Sequence, residues 1–175
     1  NACFLNSGQT CTAHTRLLVP ESRYAEAAKL AAEAAARFTV GDPFAETSKL
    51  GPVISAAQRD RVRDFIRKGI AEGAELLCGG PDAPAGLSKG YYVQPTVFGR
   101  VRPGSSIEQE EIFGPVLSIV TYRDEDGFTA EAFALARESG VIPATTTNLF
   151  GLEVAKALRE LTDVLKDAYV SQDSF

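Results

Sequence analysis

Methionine is missing from the whole sequence, position 1 included, so the 175 residues are expected to be a piece of a longer polypeptide or a processed one. Long apolar runs are missing as well. No stretch approaches the ~20 consecutive apolar residues that a bilayer-spanning helix needs, which excludes such a helix and argues against a membrane partner. The opening run N-A-C-F-L-N-S-G-Q-T has neither the basic start nor the apolar core of a secretory signal. Cysteine is sparse, with only Cys3, Cys11 and Cys78. An odd count without C-x-x-C spacing argues against a disulfide framework and against a zinc site. A reducing, cytoplasmic setting with no bound metal is therefore the expectation. Repeats and low-complexity segments are also lacking.

A surplus of positive charge is absent too. The net charge of −5 disfavours nucleic acid as a partner, because phosphate neutralisation needs a concentrated basic face. The one basic cluster, Arg59, Arg61, Arg63, Arg67 and Lys68, is interleaved with Asp60, Asp64 and Glu72, which reads as a solvated helix face laced with ion pairs.

What the sequence has is the makings of a globular core: 45% hydrophobic and 23% charged residues. Strand and helix patterns alternate along it. Thr15–Val19 reads as a buried strand. Between Ser22 and Phe38 the residues Tyr24, Ala27, Ala28, Ala31, Ala35 and Phe38 recur at helical spacing. Gly41, Asp42 and Pro43 break that pattern and open a loop to about Ile54. Ser55 and Gln58 form an S-x-x-Q capping box ahead of a helix with the stripe Val62, Phe65, Ile66 and Ile70, ending at Gly73. Glu75–Cys78 reads as a short strand and Gly79–Gly90 as a loop. Tyr91–Val101 and Val116–Tyr122 read as extended segments. Helices near Thr129–Glu138 and Gly151–Leu161 follow, with short strands at Ala144–Phe150 and Val164–Val170. Alternation of this kind predicts an α/β fold, three-layer-like, with helices packed on a largely parallel sheet in one domain over residues 1–175.

One motif carries chemistry. F-L-N-S-G-Q-T-C-T-A sets Cys11 behind a polar, glycine-containing turn. Free cysteine is usually a buried small hydrophobe. Yet Asn6, Ser7, Gly8, Gln9, Thr10 and Thr12 around it are nearly all polar or small, which leaves both a core cysteine and a functional thiol open. His14, the only histidine, lies three residues further on. On one helical turn the two could pair as thiol and imidazole, although a loop or surface histidine is the simpler reading. Cys3 and Cys78 sit in apolar contexts and read as structural.

Taken to Arg16, the same stretch, F-L-N-S-G-Q-T-C-T-A-H-T-R, resembles the active-site signature of the aldehyde dehydrogenase family. Three further matches follow in the family's order: V-G-D-P-F ahead of G-P-V-I-S-A-A-Q-R-D-R-V, then G-Y-Y-V-Q-P-T-V-F, then E-E-I-F-G-P-V-L-S-I. The resemblance implies the catalytic-domain type of that family and oxidation of an aldehyde to a carboxylic acid with NAD or NADP. It casts Cys11 as nucleophile, forming a thiohemiacetal and then a thioester that passes to water or coenzyme A. The Cys11 N–H would be an oxyanion donor, with Gly8 allowing close backbone approach. Glu111 would hold the hydroxyls of the nicotinamide ribose, and Phe113 would lie near the nicotinamide ring. Gln58 and Arg61 align with positions that touch the adenosine-side ribose in some relatives, although the capping box and the mixed-charge helix face also account for them.

In that family the hydrolytic glutamate, the asparagine completing the oxyanion hole and the dinucleotide-binding domain lie upstream of the signature. The chain is thus expected to hold the nucleophile and part of the nicotinamide site, and not to oxidise aldehydes by itself. After about residue 126 the resemblance weakens: Arg137 stands where relatives read asparagine, and the later P-F-G-G-x-K-x-S-G region does not appear. A full-length homo-oligomer is implied. Two other functions compete: a non-catalytic remnant or interaction module of the same fold, and a thiol hydrolase using Cys11 and His14.

Overall fold

The structure, a computed structural model, describes residues 2–123 and 142–143. By its internal contacts the chain divides into Asn1–Pro143 and Ala144–Phe175, and the description below concerns the first. The helices expected near Thr129–Glu138 and Gly151–Leu161, and the strands at Ala144–Phe150 and Val164–Val170, lie outside the described residues.

Five strands form one open sheet: β1 (Arg16–Pro20), β2 (Glu75–Cys78), β3 (Thr96–Gly99), β4 (Val116–Tyr122) and β5 (Ile142–Pro143). Their spatial order is β2-β3-β4-β1-β5. The pairs β3–β4, β4–β1 and β1–β5 are parallel, and β2 runs antiparallel to β3 at one edge. The helices are α1 (Tyr24–Ala36), α2 (Ala56–Ala71) and the single turn α3 (Ser106–Gln109). This is the α/β architecture with a mostly parallel sheet that the alternating pattern predicts.

Alternation along β3 separates the two layers of helices. Phe98 is fully buried in a cluster with Val62, Phe65 and Ile66 of α2, Ile107 of α3 and Val116 of β4. One residue on, a Cβ placed on Gly99 would lie 2.0 Å from the Tyr24 hydroxyl oxygen of α1. Successive side chains of a strand leave by opposite faces, so α2 and α3 cover one face and α1 the other. All four β3 residues are buried as a result, as a strand covered on both sides must be.

Several details differ from the sequence pattern for physical reasons. In α1 the expected positions Tyr24, Ala27, Ala28, Ala31 and Ala35 are buried, but Glu21–Arg23 is a 3-10 turn and Phe38 lies past the helix, against Phe4 at 5.1 Å between ring centroids. In α2 Ile70 is 43% exposed, so it does not belong to the buried stripe. Gly69 takes that place. A Cβ there would come within 2.9 Å of Ile107 Cδ1, and the bare backbone lets α3 approach. Half of the capping box forms: Ser55 Oγ accepts from the Gln58 N–H at 3.1 Å, a bond typically contributing about 1 kcal/mol. The Gln58 side chain turns elsewhere. Only Thr96–Gly99 of the extended segment 91–101 joins the sheet.

Candidate active site

The signature motif forms a compact turn ahead of β1. Asn6, Ser7 and Gly8 are three successive residues with left-handed backbone, at φ 52°, 54° and 73°. Asparagine and glycine tolerate that region better than other residues do. The turn binds itself and a neighbouring loop. Asn6 Nδ2 donates to the Gln9 carbonyl at 3.0 Å, and Gln9 Nε2 donates back to the Asn6 carbonyl at 3.2 Å. Ser7 Oγ donates to the Gly51 carbonyl at 2.9 Å, while Gln9 Oε1 accepts from the Ile54 N–H at 2.8 Å. Cys11 follows on a second turn, closed by the Ala13 N–H to the Thr10 carbonyl at 2.9 Å.

Gly8 has a reason beyond its φ. A Cβ on it would lie 2.1 Å from the Gly114 carbonyl oxygen, a backbone atom that cannot step aside. The close approach that the motif calls for is thus made to the last of the four motifs, E-E-I-F-G-P. Gly114 in turn sits against Val62 of α2, where a Cβ would meet Val62 Cγ2 at 2.5 Å. Two glycines therefore stack the Cys11 turn, the 110–115 segment and α2 in van der Waals contact.

A pocket of about 170 Å3 opens beside this junction, lined by Gly8, Thr10, Cys11, Ala13, Thr15, Arg16, Glu111 and Phe113. Cys11 is exposed and Glu111 is exposed, while Phe113 is half-buried. Phe113 is held at φ 58°, a costly conformation for a bulky residue, on the order of 1–2 kcal/mol.

Gln58 and Arg61 approach the same segment from α2 without lining the pocket. Gln58 Nε2 donates to the Phe113 carbonyl at 2.7 Å and to that of Ile112 at 3.3 Å. Arg61 Nη2 donates to the Glu111 carbonyl at 2.8 Å, and its guanidinium lies over the Phe65 ring, 4.7 Å from the centroid. Arg61 stays exposed but gives its guanidinium to this carbonyl and ring, whereas Arg59 meets Asp60 at 2.8 Å and Arg67 meets Asp64 at 2.7 Å. The sequence reading assigns Arg16 no role beyond closing the signature. Its Nε donates to the Glu108 carbonyl and its Nη2 to that of Glu110 at 3.1 Å. The signal was present as a fixed arginine, but its partner lies about ninety residues away and no local pattern names it.

The three thiols differ sharply. Cys3 is buried, its Sγ donates to the Val116 carbonyl at 3.4 Å, and burial pushes its pKa up to about 12. Cys78 is half-buried and is also raised by burial. Cys11 alone is exposed. His14 is half-buried and is not among the residues lining the pocket. Among the described residues no group of three or more His, Cys, Asp or Glu is placed to hold a metal ion, and no helix is long and apolar enough to cross a membrane.

An α/β sheet thus carries a pocket whose lining includes an exposed thiol, a carboxylate and an aromatic ring. Comparison with known proteins identifies the family. The model of the aldehyde dehydrogenase family matches residues 1–159, past the point near residue 126 where the motif resemblance weakens. A 3-succinoylsemialdehyde-pyridine dehydrogenase from Pseudomonas is 46% identical over 135 residues, covering 77% of this chain and 28% of that protein. Among solved structures, aldehyde dehydrogenase from Bartonella henselae superposes with a TM-score of 0.68 at 47% identity, over 71% of this chain and 26% of that one. A cysteine-to-alanine variant of aldehyde dehydrogenase C from Pseudomonas syringae, in complex with NAD+ and octanal, gives a TM-score of 0.73 at 40% identity, over 89% of this chain and 31% of that one. The chain belongs to the aldehyde dehydrogenase family. It spans between a quarter and a third of the length of these relatives.

Proposed function

We propose that the chain supplies the nucleophile and part of the nicotinamide site of an oxidoreductase that converts an aldehyde to a carboxylic acid with NAD(P) as acceptor. One observation carries the reading: Cys11 and the pair Glu111 and Phe113, which come from opposite ends of the described chain, line a single pocket. The donor set fits a nicotinamide nucleoside. A carboxylate accepts hydrogen bonds from two ribose hydroxyls, and an aromatic ring offers a flat apolar wall. The volume of about 170 Å3 is below the roughly 300–1,000 Å3 of a pocket enclosing a drug-sized ligand, so it suits the nicotinamide end rather than a whole dinucleotide. NAD+ is bound in the similar structures from Pseudomonas syringae and Mycobacterium tuberculosis, which supports NAD as the acceptor.

In this reading the Cys11 thiolate attacks the carbonyl carbon, and the carbonyl π pair moves to oxygen as a thiohemiacetal oxyanion. The Cys11 N–H, on the turn that follows the left-handed one, is the oxyanion donor that this chain offers. A nicotinamide held beside Glu111 and Phe113 would supply the hydride acceptor needed for the oxyanion on Sγ to become a thioester. Water or coenzyme A then takes the acyl group. Glu111 and Phe113 hold the nicotinamide side, with Gln58 and Arg61 behind them. The whole protein is a homo-oligomer working in the cytoplasm on a small aldehyde, as the resemblance implies.

The thiol-hydrolase alternative gains no support, because His14 is not among the residues that line the pocket. The test is an assay with aldehyde and NAD. The 175-residue chain is expected to show no turnover, and a polypeptide extending it to the length of its relatives to turn over and to lose that activity with Cys11→Ser. Undiminished turnover by Cys11→Ser contradicts the reading.

A further inference from the structure

From the end of α3 toward β4, residues 108–113 lack helical or strand partners for most of their carbonyls, yet those carbonyls are systematically met. Arg16 at the start of β1 donates to Glu108 and Glu110, Arg61 on α2 donates to Glu111, and Gln58 on α2 donates to Ile112 and Phe113. Five carbonyls in a six-residue stretch are held by three long side chains, and those side chains are rooted in two separate rigid elements. Left without partners, carbonyls in an irregular segment gain by rotating toward water. Guanidinium donors make charge-assisted bonds, stronger than neutral ones. The two Gln58 bonds bracket Phe113, the one bulky residue in the segment with left-handed backbone. Both Nε2 hydrogens of Gln58 are thereby used within the protein.

We propose that Gln58, Arg61 and Arg16 are positioning residues that clamp the backbone of residues 108–113 and so keep Glu111 and Phe113 in the wall of the Cys11 pocket. The clamp replaces a direct ligand role for the donor atoms of Gln58, and it gives Arg16 a purpose. It rests on reading that pocket as the nicotinamide side of an active site. Releasing the clamp frees Phe113 to leave the left-handed region, which opens the wall beside Cys11.

The test uses the 175-residue chain, isotopically labelled, with Gln58→Glu, Arg61→Ala, Arg61→Lys and Arg59→Ala. Gln58→Glu keeps shape but sets oxygens against two carbonyls. Arg59→Ala alters the same helix without touching the segment. Circular dichroism checks the fold, Phe113 Cα and Cβ shifts report its backbone, and a bulky maleimide reports access to Cys11 with and without NAD. In Gln58→Glu and Arg61→Ala the left-handed signature of Phe113 is expected to fade. Cys11 is expected to react roughly threefold to tenfold faster, the factor a net hydrogen bond is worth. Arg61→Lys restores a donor and should stay close to the parent, and Arg59→Ala should match it. Unchanged Phe113 shifts and unchanged Cys11 rates in folded Gln58→Glu and Arg61→Ala overturn the clamp. Should Gln58→Glu not fold, Arg61→Ala alone decides, since it removes a single bond from an exposed side chain. With the NAD arm run on the polypeptide extended to the length of its relatives, a responsive segment with no NAD protection of Cys11 in the parent leaves the clamp standing and counts against the nicotinamide reading. Protection without a responsive segment does the reverse.

Discussion

The two segments that meet at the Cys11 pocket both leave regular secondary structure, and they do so by opposite means. Asn6–Gly8 is largely self-made. Its residues include the two types that most readily adopt left-handed backbone, and Asn6 and Gln9 cross-bond within four residues. The segment from Glu110 to Gly114 is made by its surroundings. Phe113 has no intrinsic preference for φ 58°, and the donors that hold its neighbours come from β1 and α2. The turn that carries the nucleophile takes its shape largely from local sequence, while the bonds to Gly51 and Ile54 anchor it to the domain. A cofactor wall held from outside depends on the whole domain being folded.

That difference can be broken or sharpened by substitution. The largest effect is expected for Gly8→Ala, where positive φ combines with a Cβ 2.1 Å from a backbone oxygen. It should cost about 3 kcal/mol or more in urea unfolding, and a much smaller loss would mean that the two segments are not in rigid contact. Gly114→Ala is expected to cost less, about 2 kcal/mol, because its Cβ meets the methyls of Val62 rather than backbone. Asn6→Ala removes one local bond and the residue's tolerance of left-handed backbone, for a loss of about 1 kcal/mol with Phe113 shifts unchanged. Movement of Phe113 in that variant would show that the turn is not independent.

The last effect is nil at neutral pH and grows in alkali. Cys3, ahead of the turn, bonds to the Val116 carbonyl at the start of β4, and its pKa lies above the ordinary thiol value of 9.0, near 12. The unfolded chain therefore releases its proton first. Stability is intact below pH 9 and falls as pH rises from about 9 to about 12. Denaturation profiles of the parent and Cys3→Ala should diverge there, with the variant flatter. Parallel profiles would mean that the buried thiol is not a linkage group.

Legibility in the sequence follows the same division. The strands Glu75–Cys78 and Val116–Tyr122, the buried alanine face of α1 and the Ser55 cap are written in local patterns of period, composition and spacing. The Cys11 turn is legible for the same reason, since polar and glycine residues around a cysteine do not make a core strand. The tertiary partners are not legible. Gln58 reads as the second half of a capping box because its spacing from Ser55 fits, while in the fold two carbonyls more than fifty residues away claim its amide. Arg61 reads as part of a charged face and is exposed, yet its guanidinium lies over Phe65 and bonds to a carbonyl fifty residues away. Ile70 reads as core because it is apolar and in phase. Gly69 displaces it, because the close packing of α3 favours the position without a side chain.

The central claim is that Cys11 is a reactive thiol facing the nicotinamide side of an active site. The most direct measurement is the rate of Cys11 alkylation by iodoacetamide in a polypeptide extended to the length of its relatives, read by peptide mass against Cys78 and Cys3 in the same sample, with and without NAD. The account predicts that Cys11 is modified first and Cys3 last. NAD should slow Cys11 but not Cys78, and Glu111→Gln should weaken that protection. Cys11 reacting no faster than Cys78, or at a rate indifferent to NAD, would contradict it.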